Sequence, residues 1–115
     1  MAEPQDANVI SVTITDWIVD DVSDQPRYAI SVVAARCGVR VSTVRRYEEW
    51  GLVEPTRTGP RRLYSEADID RVLRVRRLVD DLGVNLAGAA AVLHLRKQVI
   101  ALRREMQSLR DELDR

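Results

Sequence analysis

Residues 30–51 read Ile30-Ser-Val-Val-Ala-Ala-Arg-Cys-Gly-Val-Arg-Val-Ser-Thr-Val-Arg-Arg-Tyr-Glu-Glu-Trp-Gly51, two short blocks that each end in glycine. In the first block Ile30, Val33, Ala34 and Cys37 share the spacing of one helix face, with Ser31 placed to cap the helix and Gly38 to stop it. In the second block Ser42 can cap a helix over residues 43–50, with Val44, Tyr47 and Trp50 turned inward and Gly51 ending it. Two short helices around a glycine-containing turn predict a helix-turn-helix. Thr43, Arg45, Arg46 and Glu49 cannot all enter so small a core, so the second helix is expected to show an exposed, mostly basic face.

Outward from this pair, residues 52–57 and 61–64 read as two extended pieces around Thr58-Gly59-Pro60, a hairpin in the position of a wing. Ser65-Glu66-Ala67-Asp68 has the form of a capping box. Ile69, Val72, Leu73, Val79 and Leu82 then offer an apolar face up to Gly83, with Arg71, Arg74 and Arg77 on another. Asn85 is placed to cap a helix of small residues that can approach a neighbour closely. Val92, Leu95, Val99, Leu102, Met106, Leu109 and Leu113 alternate spacings of three and four, the a and d positions of a coiled coil. Such a seam needs a partner, and a homodimer is expected.

The chain has 115 residues with 18 Lys+Arg against 18 Asp+Glu, a balance that excludes a uniformly basic, histone-like binder. With 45% hydrophobic residues and no Phe, the core must be mostly aliphatic. Cys37, the single cysteine, excludes an intramolecular disulfide, and the acidic start predicts no secretory signal. No apolar run approaches a membrane span, so a cytoplasmic protein without a membrane partner is expected.

The zero net charge is unevenly distributed. Residues 1–26 carry six acids and no base, residues 27–77 carry twelve arginines against six acids, and the remainder is balanced. The middle segment is where a polyanion can dock. The division predicted is an acidic extension over 1–26, with one alternating, strand-like stretch at 10–15, a winged helix-turn-helix domain over 27–91 and a coiled-coil helix over 92–115. The extension reads first as a tail; a second reading lays it over the basic face, where it competes with DNA.

Taken in order, residues 30–39, Ser42-Thr-Val-Arg-Arg-Tyr-Glu48, Gly51-Leu-Val53, Pro55, Arg57, Arg61-Arg-Leu-Tyr-Ser65 and Asp68-Ile69 resemble the MerR-type winged helix-turn-helix transcriptional regulators. Residues 82–88 look like the heat-shock repressor branch and the related chaperone modulators. The resemblance implies a mainly all-α fold with a small β wing and a C-terminal coiled-coil dimerisation helix. It implies that the second helix enters the major groove, with Ser42, Thr43, Arg45, Arg46 and, at its edge, Tyr47 as DNA-binding residues. Arg57, Arg61, Arg62 and Tyr64 of the wing would meet the backbone or minor groove. The function implied is a dimeric repressor of a stress or chaperone operon that reads an inverted repeat in double-stranded DNA. The alternative is an adaptor that binds a J-domain or Hsp70-type chaperone; the two roles can coexist.

Departures from the family's pattern also matter. Arg46 stands where many activators of the family have an aromatic residue, against effector-triggered activation. Metal-sensing members use paired Cys or a Cys/His set, whereas this chain has only Cys37 and His94, so no metal and no cofactor is expected. No drug-binding domain is expected after the coiled coil. Nor do the residues assemble a nucleophile, a base and an orienting group, so the protein is not expected to be an enzyme. In the coiled coil the e positions are Arg96, Arg103 and Arg110, and the g positions are Gln98, Glu105 and Glu112. Parallel pairing would set Glu near Arg, yet family precedent is antiparallel; the antiparallel arrangement is followed, because exposed pairs contribute only about 0.3–0.5 kcal/mol each.

Overall fold

A computed structural model describes residues 22–115. The strand-like stretch at 10–15 and most of the acidic extension lie outside the described residues. Residues 22–93 form one compact unit, and residues 94–115 belong to another.

The first unit opens with extended chain that pairs Tyr28 with Tyr64, Tyr64 N donating to Tyr28 O at 2.7 Å. Helix α1, Ile30–Cys37, buries Val33, Ala34 and Cys37. It is stopped as expected at Gly38, whose φ of 66° lies in the left-handed region that glycine enters without a Cβ penalty. Gly38 N donates to Ala35 O and Val39 N to Ala34 O, the paired bonds of a Schellman motif. Arg76 Nη1 adds a third donor, 2.9 Å from Cys37 O. The start of α1 differs from expectation: Ala29 is the N-cap and Ser31 lies inside the helix, exposed.

Helix α2, Val41–Glu49, buries Val44 and Tyr47. It begins earlier than expected, with Arg40 at the N-cap and no side-chain cap, so Ser42 and Thr43 fall in the first turn. Trp50 is the C-cap residue and is 49% exposed rather than inward, while Leu52 and Val53 just beyond it are buried.

The wing is an antiparallel hairpin of β1, Thr56–Thr58, and β2, Arg61–Leu63, with Arg57 opposite Arg62. Its two-residue loop has Gly59 at a φ of 64° followed by Pro60, the order a type II′ turn requires.

Helix α3, Glu66–Arg76, starts on the capping box that its sequence announced: Asp68 N donates to Ser65 Oγ at 3.1 Å, and Ser65 N donates to Asp68 Oδ2 at 2.9 Å. It runs into a π-helical turn, Arg77–Asp81. Its inward face is Ile69, Val72, Val75 and Leu78, not the expected set, since Leu73 and Leu82 are exposed and Val79 is half-buried. Buried residues three apart wind backwards around a helix by roughly 60° per step, and Leu73 falls on the outer side of that stripe. Arg74, placed by the sequence on a face other than the apolar one, is 9% exposed, and its Nε donates to Asp70 Oδ2 at 2.8 Å. Ala67 N donates to Ser23 O at 2.9 Å, tying the N-terminal segment to this helix.

Helix α4, Leu86–Leu113, is one continuous helix of 28 residues, joining the small-residue stretch and the heptad stretch. Asn85 caps it, Gly88 N donating to Asn85 Oδ1 at 2.8 Å, and Ala89 is fully buried.

Candidate nucleic-acid interface

Helix α2 carries its charge outward because the two residues it buries, Val44 and Tyr47, lie three apart on one side. Ser42, Arg45, Arg46 and Glu49 are exposed on the remainder, with Thr43 half-buried at the edge. Arg57, Arg61 and Arg62 are exposed along the wing. Arg45, Arg61 and Arg62 border a single open cleft of about 550 Å³ between α2 and the wing. Residues far apart in sequence are thus brought together around one cationic concavity. Among the described residues Arg45, Arg46, Arg57 and Arg61 make no ion pair, so their forks are available for phosphate or a guanine edge.

The two tyrosines proposed from the sequence lie inside. Tyr47 is 5% exposed, and burial pushes its hydroxyl pKa up. Tyr64 is 1% exposed, so its ring has no face to offer the minor groove, contrary to expectation; among the described residues it is the largest of the fully buried side chains. Its hydroxyl donates to Glu48 Oε2 at 3.1 Å, and its pKa is pushed up to about 12, first by burial and then by the Glu48 carboxylate. Arg62 is also engaged, its Nη1 lying 3.0 Å from Glu48 Oε1. Glu48 therefore links the last turn of α2 to the wing. Sequence reasoning gave it no role of its own; the available signal was an acid on the helix that carries Arg45 and Arg46.

A second ionic cluster lies around the start of α3. Arg36 donates to both Glu66 oxygens, at 2.7 and 3.2 Å, while the Tyr28 hydroxyl donates to Glu66 Oε1 at 2.7 Å. The Arg36 guanidinium also lies 5.3 Å from the centroid of the Tyr28 ring. The Arg36 hydrogen bonds, followed by that of Tyr28, hold the Glu66 carboxyl below the usual range. Cys37 is buried, and burial pushes its thiol pKa up, which keeps it protonated. Among the described residues no group of three or more His, Cys, Asp or Glu side chains is arranged to hold a metal ion. Nor is any helix there long and apolar enough to cross a membrane.

On α4 the heptad positions are open. Leu95, Leu102, Met106 and Leu109 are each more than half exposed, Val99 is 38% and Leu113 84% exposed, and Val92 is half-buried. Ile100, off the seam, is buried at 7%. The large exposed apolar side chains of residues 94–115 thus fall on the a and d positions.

The sequence profile of the MerR HTH family regulatory proteins matches residues 28–95. The chain is 41% identical over 92 residues to a putative heat shock protein, HspR, of Streptomyces coelicolor, covering 79% of this chain and 61% of that one. It is 38% identical over 79 residues to the HTH-type transcriptional regulator GlnR of Bacillus anthracis, covering 68% and 60%. The chain thus spans about three fifths of the length of these curated relatives. Among solved structures it is similar to the transcription regulator PbrR691 of Ralstonia metallidurans in complex with lead(II). That match has a TM-score of 0.58 and 28% identity, and covers 76% of this chain and 81% of that one. The family profile extends across both helices of the helix-turn-helix, the hairpin and the start of the long helix, and the chain belongs to the MerR family of helix-turn-helix regulatory proteins.

Proposed function

We propose that this protein is a dimeric, sequence-specific DNA-binding transcriptional regulator that represses a stress or chaperone operon from an inverted repeat. The observation that carries the reading is the set of Arg45, Arg46, Arg57 and Arg61, all exposed on α2 and the wing without an acidic partner among the described residues. In this reading the first turn of α2 enters the major groove. Ser42, Thr43, Arg45 and Arg46 face base edges and phosphates, and the uncapped backbone N–H groups face a phosphate. Arg57, Arg61 and Arg62 of the wing follow the backbone. Tyr47 and Tyr64 support the surface from beneath.

Dimerisation is assigned to Val92, Leu95, Val99, Leu102, Met106, Leu109 and Leu113, whose exposure leaves a seam for a second copy. The stress operon follows from similarity to the HspR relative, and a chaperone acting as co-repressor is compatible with it. Such a protein works in the cytoplasm, on the nucleoid. An adaptor that only binds a chaperone gives no reason for four exposed arginines without an acidic partner on α2 and the wing.

The test is a binding titration against a site selected from randomised duplex and against random duplex. Arg45→Ala is expected to cost about 1–3 kcal/mol on the selected site and little on random sequence, whereas Arg61→Ala weakens both alike and lowers the salt slope by about one. Equal affinity of the unmodified protein for the two duplexes would overturn the reading.

A further inference from the structure

The wing is a hairpin of three residues per strand, exposed along both strands except at Leu63, and a two-stranded hairpin of this size is marginal alone. Its direction relative to α2 must therefore be fixed at its base. There one carboxylate accepts two donors from the wing side: Arg62 Nη1 at 3.0 Å on Oε1 and the Tyr64 hydroxyl at 3.1 Å on Oε2. Tyr64 is held independently, its ring buried and its backbone bonded to Tyr28 in both directions. The Glu48 side chain is only 20% exposed, between an anchored phenol and an exposed guanidinium.

We propose that Glu48 is a positioning residue that sets the wing against the recognition helix α2, so that the two cationic elements meet one DNA duplex in register. This inference rests on the DNA-binding reading above. The competing role is purely electrostatic. A carboxylate beside Arg45 and Arg62 repels phosphate and occupies one arginine, so removing it would strengthen binding to any duplex. Positioning predicts the opposite on the specific site, because a wing that wanders loses the preorganisation that lets helix and hairpin bind together.

The experiment compares Glu48→Gln, which keeps the shape and loses the charge, with Tyr64→Phe, which keeps the buried ring and loses one of the two bonds. Amide hydrogen exchange of residues 56–63 in the DNA-free protein reads wing order; α3 amides serve as the internal control for folding. Glu48→Gln is expected to speed wing exchange about tenfold, and Tyr64→Phe about threefold, with α3 unchanged. On the selected duplex Glu48→Gln is expected to lose about tenfold in affinity while random duplex is bound as well or better.

Unchanged wing exchange in Glu48→Gln overturns the proposal, as does a gain in affinity shared by both duplexes. Should the unmodified protein prefer no sequence at all, the DNA-binding reading fails, and the exchange rates alone decide whether Glu48 orders the wing.

Discussion

Residues 22–93 and 94–115 spend the same aliphatic residue types in opposite ways. In the first, Val33, Val44, Val72 and Val75 are fully buried within a unit that closes on itself. In the second, Leu95, Leu102, Met106 and Leu109 are each more than half exposed along one stripe. The difference teaches that the head has a core of its own, whereas the end of the long helix holds an exposed apolar stripe, the surface to which dimerisation is assigned above. Folding and assembly are therefore expected to be separable by mutation.

The largest effect expected from breaking that separation is on the seam. Leu102→Glu together with Leu109→Glu should weaken the dimer by at least about a thousandfold, roughly 4 kcal/mol, because each places a charge in an apolar interface. Sedimentation would show a monomer whose head retains its amide protection. Loss of head protection along with the dimer would erase the distinction between the regions.

Next comes the head itself. Ile69 is 3% exposed, and Ile69→Ala should cost about 2–4 kcal/mol in chemical denaturation through the cavity it leaves. Ser65→Ala should cost about 1 kcal/mol, through loss of the reciprocal cap at the start of α3.

The smallest effect is pH-dependent. Because the Glu66 pKa is lowered in the folded protein, the stabilisation it contributes is present above its unfolded value near 4.5 and is lost as pH falls through the lower folded value. The stability gap between the unmodified protein and Glu66→Gln should therefore close on acidification. A gap that widened would contradict the hydrogen bonds drawn from Arg36 and Tyr28.

Much of this was legible in the sequence where one local rule dominates. The Gly38 stop, the Ser65–Asp68 cap, the Asn85 cap and the hairpin turn at Gly59-Pro60 are each decided by a few adjacent residues. Periodicity was less reliable where geometry departs from a regular helix. Past Ile69 the buried residues run three apart into a π-helical turn, so Val75 and Leu78 were missed and Leu73 and Leu82 wrongly placed inside.

The site was legible as a set of arginines but not as a surface. Tyr64 was placed on DNA by the resemblance alone; in the structure it bridges Tyr28, thirty-six positions earlier, and its ring is buried. Glu48 lies fourteen positions before Arg62, and nothing local to either residue announces their bond. Ser31 and Ser42 are good cap residues in the wrong register, since both helices begin earlier, at Ala29 and Arg40, where no side chain caps them.

The central claim is that α2 and the wing together read a two-fold DNA site. It is tested most directly by selecting binding sites from a randomised duplex pool with the intact protein and with Arg45→Ala. The account predicts that the intact protein enriches an inverted repeat with two equivalent half-sites and that Arg45→Ala loses this enrichment while still retaining duplex at low salt. Enrichment of no sequence by the intact protein, or the same repeat selected equally well by Arg45→Ala, would contradict it.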